Sequence, residues 1–330
     1  MAVAEAEFRV MASEARVLVV GGPPGLADSA VVELESLEAH WSRFVTGSDV
    51  DNLNRRPGRA VVVSAPTITL VSIMIQAAAV TTGRCSAAVL PALLEAGYPT
   101  TTPAVEAQAA VVGAPGVGGS DTTVRPRRGL DGIVLDRWAR TITLPPGLTL
   151  DPGGIGKGLA ADMVVGSLLA AGADGALVSI GGDLSVAGRP PGPDGWLVVI
   201  EDPLDPPAEL GRIRVDGGGV ATTSTVSRRW SGPDGTARHH LIDPETGAPS
   251  TTDLAAVTVV APTGWLAEAH ATGAALGGSG HLAAYAARHG LDAVGVTRDG
   301  GRVATDRLAA LADPNGSDPA GDGLSERCSA

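Results

Sequence analysis

Residues 150–162, with the sequence LDPGGIGKGLAAD, place an aspartate, paired glycines and one lysine directly before an apolar helical pattern. Gly153 and Gly154 have no Cβ, so a ligand can approach their backbone closely. A helix predicted to begin near Gly158 offers unpaired N–H groups and a positive dipole end, and Lys157 adds a full charge. This combination favours a phosphate or diphosphate ligand. The segment matches neither a Walker A loop nor G-x-G-x-x-G, and a glycine-rich turn with an exposed lysine is the alternative.

Two oxygen-bearing side chains, Glu268 and Thr272, lie four residues apart in the segment AEAHAT, so both face the same side of a predicted helix. A carboxylate and a hydroxyl on one face suit a hard cation such as Mg²⁺, which completes its shell with water or phosphate oxygens. His270 falls on a different face of the helix and is not an evident co-ligand. An ordinary polar stripe along the helix is the alternative.

The segment RHHLIDPETG places His240 at the end of a predicted strand, shortly before an Asp-Pro turn at residues 243–244. A histidine in this position can act as a general base near neutral pH, or it can instead pin the turn by hydrogen bonding. A glycine break before Asp183, in SIGGDLSVAG, is consistent both with a close approach of the backbone to a ligand and with a tight turn.

The composition limits the class of protein. A net charge of −12 argues against a nucleic-acid partner, because a phosphate backbone needs a basic surface, but it leaves room for a local cationic pocket. Cys85 and Cys328 are too few to predict a disulfide framework or a cysteine metal cluster. The N-terminus shows no signal-peptide pattern, and the apolar residues 70–80 are too few to span a bilayer. We therefore expect a cytoplasmic protein without membrane insertion.

Hydrophobic periodicity predicts the elements that position these residues. A pair of strands joined by a turn is predicted over residues 8–22. Helices are predicted over 29–43 with Ser29 as N-cap, 70–83, 87–98, 158–172, 263–278 with Thr263 as N-cap, and 282–289. Further strands are predicted over 132–136, 140–144, 175–188, 195–203, 211–216, 218–224, 238–243, 254–262 and a hairpin around Asp299-Gly300. A long surface excursion is predicted for residues 103–129 and a disordered tail for residues 313–330.

In chain order, several of these segments resemble the ApbE-type FAD:protein FMN transferases over about residues 8–276. LDPGGIGKGLAAD is similar to the family signature D-L-G-G-I-A-K-G-x-A-x-D, and HHLIDPETGAP is similar to H-I-I-D-P-x-T-G-x-P. WSRFVTGSDVDNLN, SIGGDLSVAG with WLVVIEDP, VATTSTVSRRW and VTVVAPTGWLAEAHATGAALGG are similar to further family segments. The resemblance implies one domain, residues 1–312, with an α+β fold, an ApbE-like and T-fold-related architecture of mixed sheets and packed helices.

The resemblance also implies a reaction and its residues. Members of the family bind FAD with Mg²⁺, and active members move FMN from FAD onto a Thr or Ser hydroxyl of a target flavoprotein, with release of AMP. His240 would be the catalytic residue, and the Gly154 carbonyl, Glu268 and Thr272 would hold Mg²⁺ or, alternatively, Mn²⁺. The residues that would contact FAD are Met11, Phe44, Arg84, Cys85, Ser86, Asp151, Lys157 and Ile242.

The chain departs from the family pattern at several positions. Glu268 stands where the family usually has aspartate, and Phe44 stands where tyrosine is common. Cys85 and Ser86 replace a Phe-Asp pair, so one carboxylate is missing, and ATTS at residues 221–224 replaces A-T-S-G. Two alternatives to FMN transfer therefore stay open: a protein that binds FAD without transferring it, and an FAD pyrophosphatase that produces FMN and AMP.

Overall fold

A computed structural model of the chain describes residues 2–98, 129–231, 236–312 and 325–328. Its α-helices are α1 Leu26–Trp41, α2 Asp49–Arg55, α3 Ala65–Val80, α4 Leu90–Glu95, α5 Gly156–Ala170, α6 Gly264–Gly277 and α7 Leu282–His289. Short 3-10 helices cover Ala87–Val89, Ser279–His281 and Asp306–Ala312. None of these helices is both long and apolar enough to cross a bilayer.

The strands lie mainly after helix α4. They are β1 Val3–Val10, β2 Ser13–Val20, β3 Ala60–Val62, β4 Val134–Asp136, β5 Thr141–Thr143, β6 Gly175–Ile180, β7 Asp183–Gly188, β8 Trp196–Glu201, β9 Glu209–Val215, β10 Gly218–Ser224, β11 Arg229–Ser231, β12 Ala237–His239, β13 Ile242–Asp243, β14 Ala248–Pro249, β15 Leu254–Ala261, β16 Asp292–Thr297, β17 Arg302–Ala304 and β18 Ser325–Cys328.

An eight-stranded antiparallel sheet, in the order β1-β2-β6-β7-β10-β15-β16-β17, is the centre of the fold. Alternate residues of a strand point to opposite faces, and β2 shows the consequence. Val17 and Val19 pack into the core that contains residues of α1, α3 and α5, whereas Leu18 and Val20 pack into the core formed with β8 and β9. Helices with a largely antiparallel sheet form an α+β fold, as the sequence predicts.

Helices α6 and α7 share a third core with β10, β15 and β16. Helix α6 also packs closely against α5, since a Cβ added to Gly158 would lie 2.4 Å from the carbonyl oxygen of Gly264. Glycine at this position therefore lets the two helices meet near their N-termini. This contact brings the glycine-rich segment before α5 next to the predicted metal ligands on α6.

Several local predictions are confirmed and others need correction. The β1–β2 pair, the Thr263 cap of α6 and the turn with Gly300 at φ 88° occur as predicted. Ser29 is not the cap of α1: the helix begins at Leu26 after Gly25, and the Ser29 hydroxyl donates to the Gly25 carbonyl at 3.0 Å. Gly25 reaches a left-handed conformation at φ 86°, which starts the helix one turn earlier. Helix α3 ends at Val80 rather than at Gly83, and helix α5 begins at Gly156 rather than near Gly158.

Most of the predicted excursion, residues 103–128, and most of the predicted tail lie outside the described residues. Within the tail, however, strand β18 pairs in parallel with β8, which contradicts disorder over those four residues. The edge of the small sheet formed by β8 and β9 offers backbone groups with which such a segment can pair.

Candidate active site at the mouth of helix α5

The N-terminus of helix α6 is capped by a carboxylate from helix α5. Asp162 accepts hydrogen bonds from the backbone N–H groups of Gly264 at 2.7 Å and Trp265 at 2.9 Å, one to each oxygen. The Thr263 hydroxyl adds a bond from the Leu266 N–H. Burial raises the pKa of Asp162, and these hydrogen bonds oppose that rise. Asp162 is the last residue of the family signature, yet the sequence alone does not reveal this capping role.

A carboxylate of helix α6, that of Glu268, in turn accepts a hydrogen bond from the first turn of α5. Its Oε2 accepts from the backbone N–H of Gly158 at 2.8 Å, while its Oε1 is buried without any hydrogen-bond partner. The residue is only 4% exposed. Burial and the negative charge of Asp183 raise the pKa of Glu268 to about 8, and the positive charge of Lys157 opposes this rise. A buried polar atom without a partner is uncommon in a folded protein, and a bound ion is one way to satisfy it.

The other two predicted metal ligands lie beside each other. A Cβ added to Gly154 would lie 3.7 Å from the Thr272 hydroxyl and 3.6 Å from the Cys85 sulfur. The thiol of Cys85 donates to the Gly154 carbonyl at 3.6 Å, and the Thr272 hydroxyl lies 3.3 Å from that of Thr223. Burial raises the pKa of the Cys85 thiol, and the Glu268 carboxylate raises it further. The structure thus brings all three predicted ligand residues to the beginning of α5.

These groups fit a hard divalent cation. Among the described residues there is no cluster of three or more His, Cys, Asp and Glu side chains with metal-ligand spacing. An ion here would therefore depend on a carbonyl, a carboxylate and a hydroxyl oxygen, the ligand types that Mg²⁺ and Mn²⁺ accept. It would also supply the partner that the second oxygen of Glu268 lacks.

Lys157 is held by a carboxylate that the sequence analysis did not select. Its ammonium group forms an ion pair with Asp183, which is 2% exposed and also accepts from the Thr222 N–H at 3.2 Å. Gly181 and Gly182, at φ 56° and 85°, form the tight turn that places Asp183 at the start of β7. Asp183 begins a strand whose apolar sequence predicts burial, and a buried carboxylate usually needs a cation nearby. That expectation could have identified Lys157 as its partner.

The two adjacent histidines after β11 have different environments. His239 Nε2 donates to the Ser250 carbonyl at 3.0 Å, so this histidine fixes the segment that follows β12. His240 lies one residue beyond the strand, and the Nδ1 atoms of both histidines are buried without a hydrogen-bond partner. Burial, together with the positive charges of Arg228 and Lys157, lowers the pKa of His240 to about 3. The imidazole is therefore neutral at neutral pH.

The Asp-Pro turn does not need His240 for its stability. The Asp243 carboxylate accepts from the Glu245 N–H at 2.8 Å, and the Asp243 carbonyl accepts from the Gly247 N–H at 2.8 Å. These bonds close the turn from within. The reading of His240 as a residue that pins the turn is therefore not supported, and its catalytic role stays a prediction.

An aromatic cluster with one buried arginine contains other predicted FAD contacts. Arg43 Nε forms an ion pair with Asp151 at 2.6 Å, and its guanidinium lies 4.0 Å from the centre of the Phe44 ring and 5.4 Å from that of Tyr98. Ile242 is buried in the same neighbourhood, with Tyr98 packed against its cluster. Sequence reasoning found Phe44, Asp151 and Ile242. It missed Arg43, which contacts both Asp151 and Phe44.

The remaining predicted FAD contacts make structural interactions. The Arg84 guanidinium donates to the Gly273 carbonyl of α6 at 3.2 Å and lies 5.5 Å from the ring centre of Tyr285 on α7. Ser86 caps the 3-10 helix after it, and the Met11 N–H donates to Glu38 at 2.9 Å. The structure does not join these side chains to the Glu268 group, and their FAD contacts stay predictions.

Comparisons with known proteins agree with this fold. The ApbE family model matches residues 7–295. The FAD:protein FMN transferase of Escherichia coli (strain K12) is 33% identical over 156 residues, which is 47% of this chain and 44% of that protein. The one from Vibrio cholerae serotype O1 is 28% identical over 76% of this chain and 74% of that protein. The match spans less than half the length of the first curated relatives, 39% and 44% for the Klebsiella pneumoniae and E. coli proteins.

Solved structures show the same architecture. The crystal structure of the ApbE protein from Thermotoga maritima aligns with a TM-score of 0.78 over 94% of this chain and 100% of that chain, at 21% identity. The flavinyl transferase ApbE of Pseudomonas stutzeri, in its apo form, aligns with a TM-score of 0.74 over 94% and 97%, at 25% identity. The predicted ApbE-like architecture is thus confirmed.

Proposed function

We propose that this chain, which belongs to the ApbE family, transfers FMN from FAD to a Thr or Ser hydroxyl of a target flavoprotein and releases AMP. The curated relatives named above are FAD:protein FMN transferases, which supports the reaction class. The observation that carries the proposal is the unpartnered, buried oxygen of Glu268, whose other oxygen bonds the Gly158 N–H at the mouth of α5. Thr272 lies one turn further along α6, next to Gly154. A helix mouth with a cation site is suited to a diphosphate.

The substrate FAD would lie across the groups described above. Its diphosphate would meet the N-terminus of α5 and Lys157, and its ring systems would meet the aromatic cluster with Phe44. The carboxylate of Asp183 offsets the positive charge of Lys157. The Lys157 ammonium group still has further N–H donors for phosphate oxygens. Lys157 and Arg43 are each paired with a carboxylate, so the positive charge that balances a diphosphate would come largely from the divalent ion.

A divalent ion would be held by the Gly154 carbonyl, Glu268 and Thr272. When bound, Mg²⁺ supplies positive charge that stabilises phosphate oxygens during phosphoryl transfer. We propose Mg²⁺ or Mn²⁺ for this role because the three protein donors are oxygens. Ionised Glu268 is the form that would bind such an ion.

His240 would act as the general base. Its neutral imidazole would take the proton from the incoming hydroxyl, whose oxygen then forms a bond to the phosphorus of the FMN half. The bond between that phosphorus and the bridging oxygen breaks, and AMP leaves with the oxygen. Negative phosphate charges near the ring would raise the pKa of His240 from its low value, which makes proton acceptance more favourable.

Product analysis tests this function. We would incubate the purified chain with FAD, Mg²⁺ and a protein extract of its source cells, then measure AMP and flavin fluorescence of denatured protein bands. We expect AMP together with covalently bound FMN, and neither in EDTA. Free FMN and AMP without protein-bound flavin would instead show pyrophosphatase activity, and unchanged FAD would show binding alone. Fractionation of the same cells would test the expected cytoplasmic location.

A further inference from the structure

The tip of the hairpin formed by β4 and β5 carries a fully solvated tryptophan. Trp138 is 100% exposed, whereas Trp41 and Trp196 are buried in the cores. The Asp136 carboxylate accepts from the backbone N–H groups of Trp138 at 2.9 Å and Ala139 at 2.8 Å. These bonds fix the turn, and the indole that it presents lies in solvent.

Two valines of the same small sheet face solvent beside this turn. In the sheet of order β3-β5-β4, Val62 pairs with Thr141 and Val134 pairs with Thr143, so both valines lie on one face. Val62 is 70% and Val134 is 60% exposed, while Ile142 points to the opposite face and is buried in the core. These two valines and the tryptophan form what we call the hairpin face. A cluster of exposed apolar side chains, unlike scattered ones, indicates a contact surface.

Arginines surround the hairpin face although the chain as a whole is acidic. Segments 55–62 and 131–143 contain five arginines and two aspartates, whereas the whole chain has 24 Lys and Arg against 36 Asp and Glu. The five arginines, all exposed, are Arg55, Arg56, Arg59, Arg137 and Arg140. The surroundings of the hairpin face are therefore positive within a chain of net charge −12.

Three of these arginines are available to a partner. Arg55 and Arg137 are held by an aspartate and a serine hydroxyl. The guanidinium groups of Arg56, Arg59 and Arg140 have no hydrogen bond or ion pair with any residue that the structure describes. Arg59 directly precedes β3 and Arg140 directly precedes β5, which runs antiparallel to β3, so the two arginines lie at opposite ends of the sheet. An anionic surface that meets the hairpin face would therefore find arginines on both sides.

We propose that the hairpin face docks on the surface of a membrane that contains anionic phospholipids. The indole of Trp138 and the two valines would enter the boundary between headgroups and acyl chains, where tryptophan is enriched in membrane proteins. The unpaired arginines would meet lipid phosphates, and each would add to the attraction. This docking is peripheral and is independent of FMN transfer.

The size of the hairpin face favours a lipid surface over a second protein. Its three strands of three residues cover about 14 Å by about 10 Å, from the usual strand spacing and rise per residue. A stable protein interface buries about 800 Å² on each partner, which is several times this area. A lipid surface supplies phosphates and an apolar layer together and needs no matching shape.

Co-sedimentation with vesicles tests the docking. We would mix the full chain with vesicles of phosphatidylcholine alone, or of phosphatidylcholine and phosphatidylglycerol in equal parts. We expect binding to the anionic vesicles only, and a lower affinity as salt screens the arginines. Inorganic phosphate added at constant ionic strength should not displace the chain. Displacement would show a site for free phosphate and overturn the proposal.

Matched variants separate the hairpin face from overall charge. Arg59→Glu with Arg140→Glu should weaken vesicle binding by at least about 25-fold, since each positive charge near an anionic surface contributes about fivefold. Arg189→Glu with Arg288→Glu, at two exposed arginines after β7 and on α7, changes the net charge equally and should have a much smaller effect. Equal effects of the two pairs would show non-specific attraction and overturn the proposal.

The apolar side chains have their own control. Trp138→Ala should weaken vesicle binding by about tenfold or more, because a tryptophan that enters the lipid boundary removes a large apolar area from water. Val62→Ala should also weaken it, whereas Val32→Ala, at a valine of α1 that is 65% exposed, should not. Melting temperatures should be unchanged, since these side chains are exposed. Vesicle binding by Trp138→Ala equal to that of the wild type would contradict the docking.

The fluorescence of Trp138 identifies what covers the hairpin face. Subtracting the emission spectrum of Trp138→Ala from that of the wild type isolates this indole. We expect the emission of a solvated indole without lipid and a blue shift with anionic vesicles. A blue-shifted emission without lipid would show that another part of the chain covers the indole, or a second copy if the shift grows with protein concentration. Either result, or a wild type that does not bind anionic vesicles, would overturn the proposal.

Discussion

The N-termini of helices α5 and α6 lie side by side, but the carboxylates that reach them are satisfied to different degrees. Asp162 of α5 gives one oxygen to each of two N–H groups of α6. Glu268 of α6 gives one oxygen to the Gly158 N–H of α5 and keeps the other unpartnered. Both oxygens of the carboxylate at the N-terminus of α6 are therefore hydrogen-bonded within the protein. The carboxylate at the N-terminus of α5 has one oxygen left that can bind a ligand.

The same contrast recurs in the adjacent histidines. The Nδ1 atoms of both histidines are buried without a partner, and His239 differs in that its Nε2 donates to the Ser250 carbonyl. In each pair, one residue is tied to the backbone by more hydrogen bonds than its chemically similar neighbour. We infer that the role of each residue follows from how fully its polar atoms are hydrogen-bonded, rather than from its residue type. Substituting both members of a pair tests this inference.

The largest expected effect is on His240. We expect His240→Ala to lower FMN transfer by roughly 10²–10⁴-fold, the usual contribution of a general base, with little change in melting temperature or FAD affinity. His239→Ala is the matched control, and it should lower stability because the segment after β12 loses its hydrogen bond. Turnover and melting curves of both variants would decide. A His240 variant that loses stability and FAD affinity together would contradict the assignment.

The second effect is on the free energy of unfolding. Asp162→Ala leaves two part-buried N–H groups of α6 without their acceptor. A fully buried group costs about 1–3 kcal/mol, so we expect a loss of up to about 2–6 kcal/mol. Glu268→Gln in metal-free protein at about pH 4.5, where the folded carboxyl is protonated, should change stability by less than about 1 kcal/mol, because the amide oxygen can still accept from Gly158. Urea unfolding of both variants measures the difference. Equal losses would remove the distinction between the two helix ends.

Much of the fold can be predicted from local sequence. Alternating apolar residues in β2 indicate its two buried faces, and Thr263 before an apolar run indicates the cap of α6. Ser29 misleads because Gly25, which reaches a positive φ, begins helix α1 earlier. At α1 the backbone conformation of Gly25, rather than a hydrogen-bonding side chain, decides where the helix begins.

The site is less predictable because its contacts join distant parts of the chain. Asp162 and Gly264 are 102 residues apart, and the Asp183 partner of Lys157 is 26 residues away. No periodicity encodes such pairs. Helical spacing selected Glu268 and Thr272, and resemblance to the family added the Gly154 carbonyl. The unpartnered oxygen of Glu268 and the thiol of Cys85 beside Gly154 became evident only from the packing.

A third prediction uses pH. Burial raises the pKa of Glu268 from 4.5 to about 8, so the folded state binds the proton more tightly than the unfolded state. Its contribution to stability is present below pH 4.5 and is lost as the pH rises towards 8. We therefore expect metal-free wild type, relative to Glu268→Gln, to lose stability across this window. The difference between the two proteins removes the opposing contribution of His240, whose lowered pKa reduces stability as the pH falls below 6.5. A pH-independent difference would contradict the raised pKa.

The smallest expected effect is a shift in metal preference. Glu268 stands where the family usually has aspartate, and its longer side chain already bonds the Gly158 N–H through one oxygen, which limits how far the other can move towards an ion. Mg²⁺ requires near-ideal octahedral geometry, whereas Mn²⁺ follows it in ligand type and generally binds such sites more tightly. We expect FAD turnover to require a divalent ion and Mn²⁺ to support it at least as well as Mg²⁺. Glu268→Asp should shift the preference towards Mg²⁺, and Glu268→Gln should abolish metal-dependent turnover. Rates in EDTA, Mg²⁺ and Mn²⁺ measure these effects, and turnover in EDTA by the wild type would refute the assignment of Glu268 as a ligand.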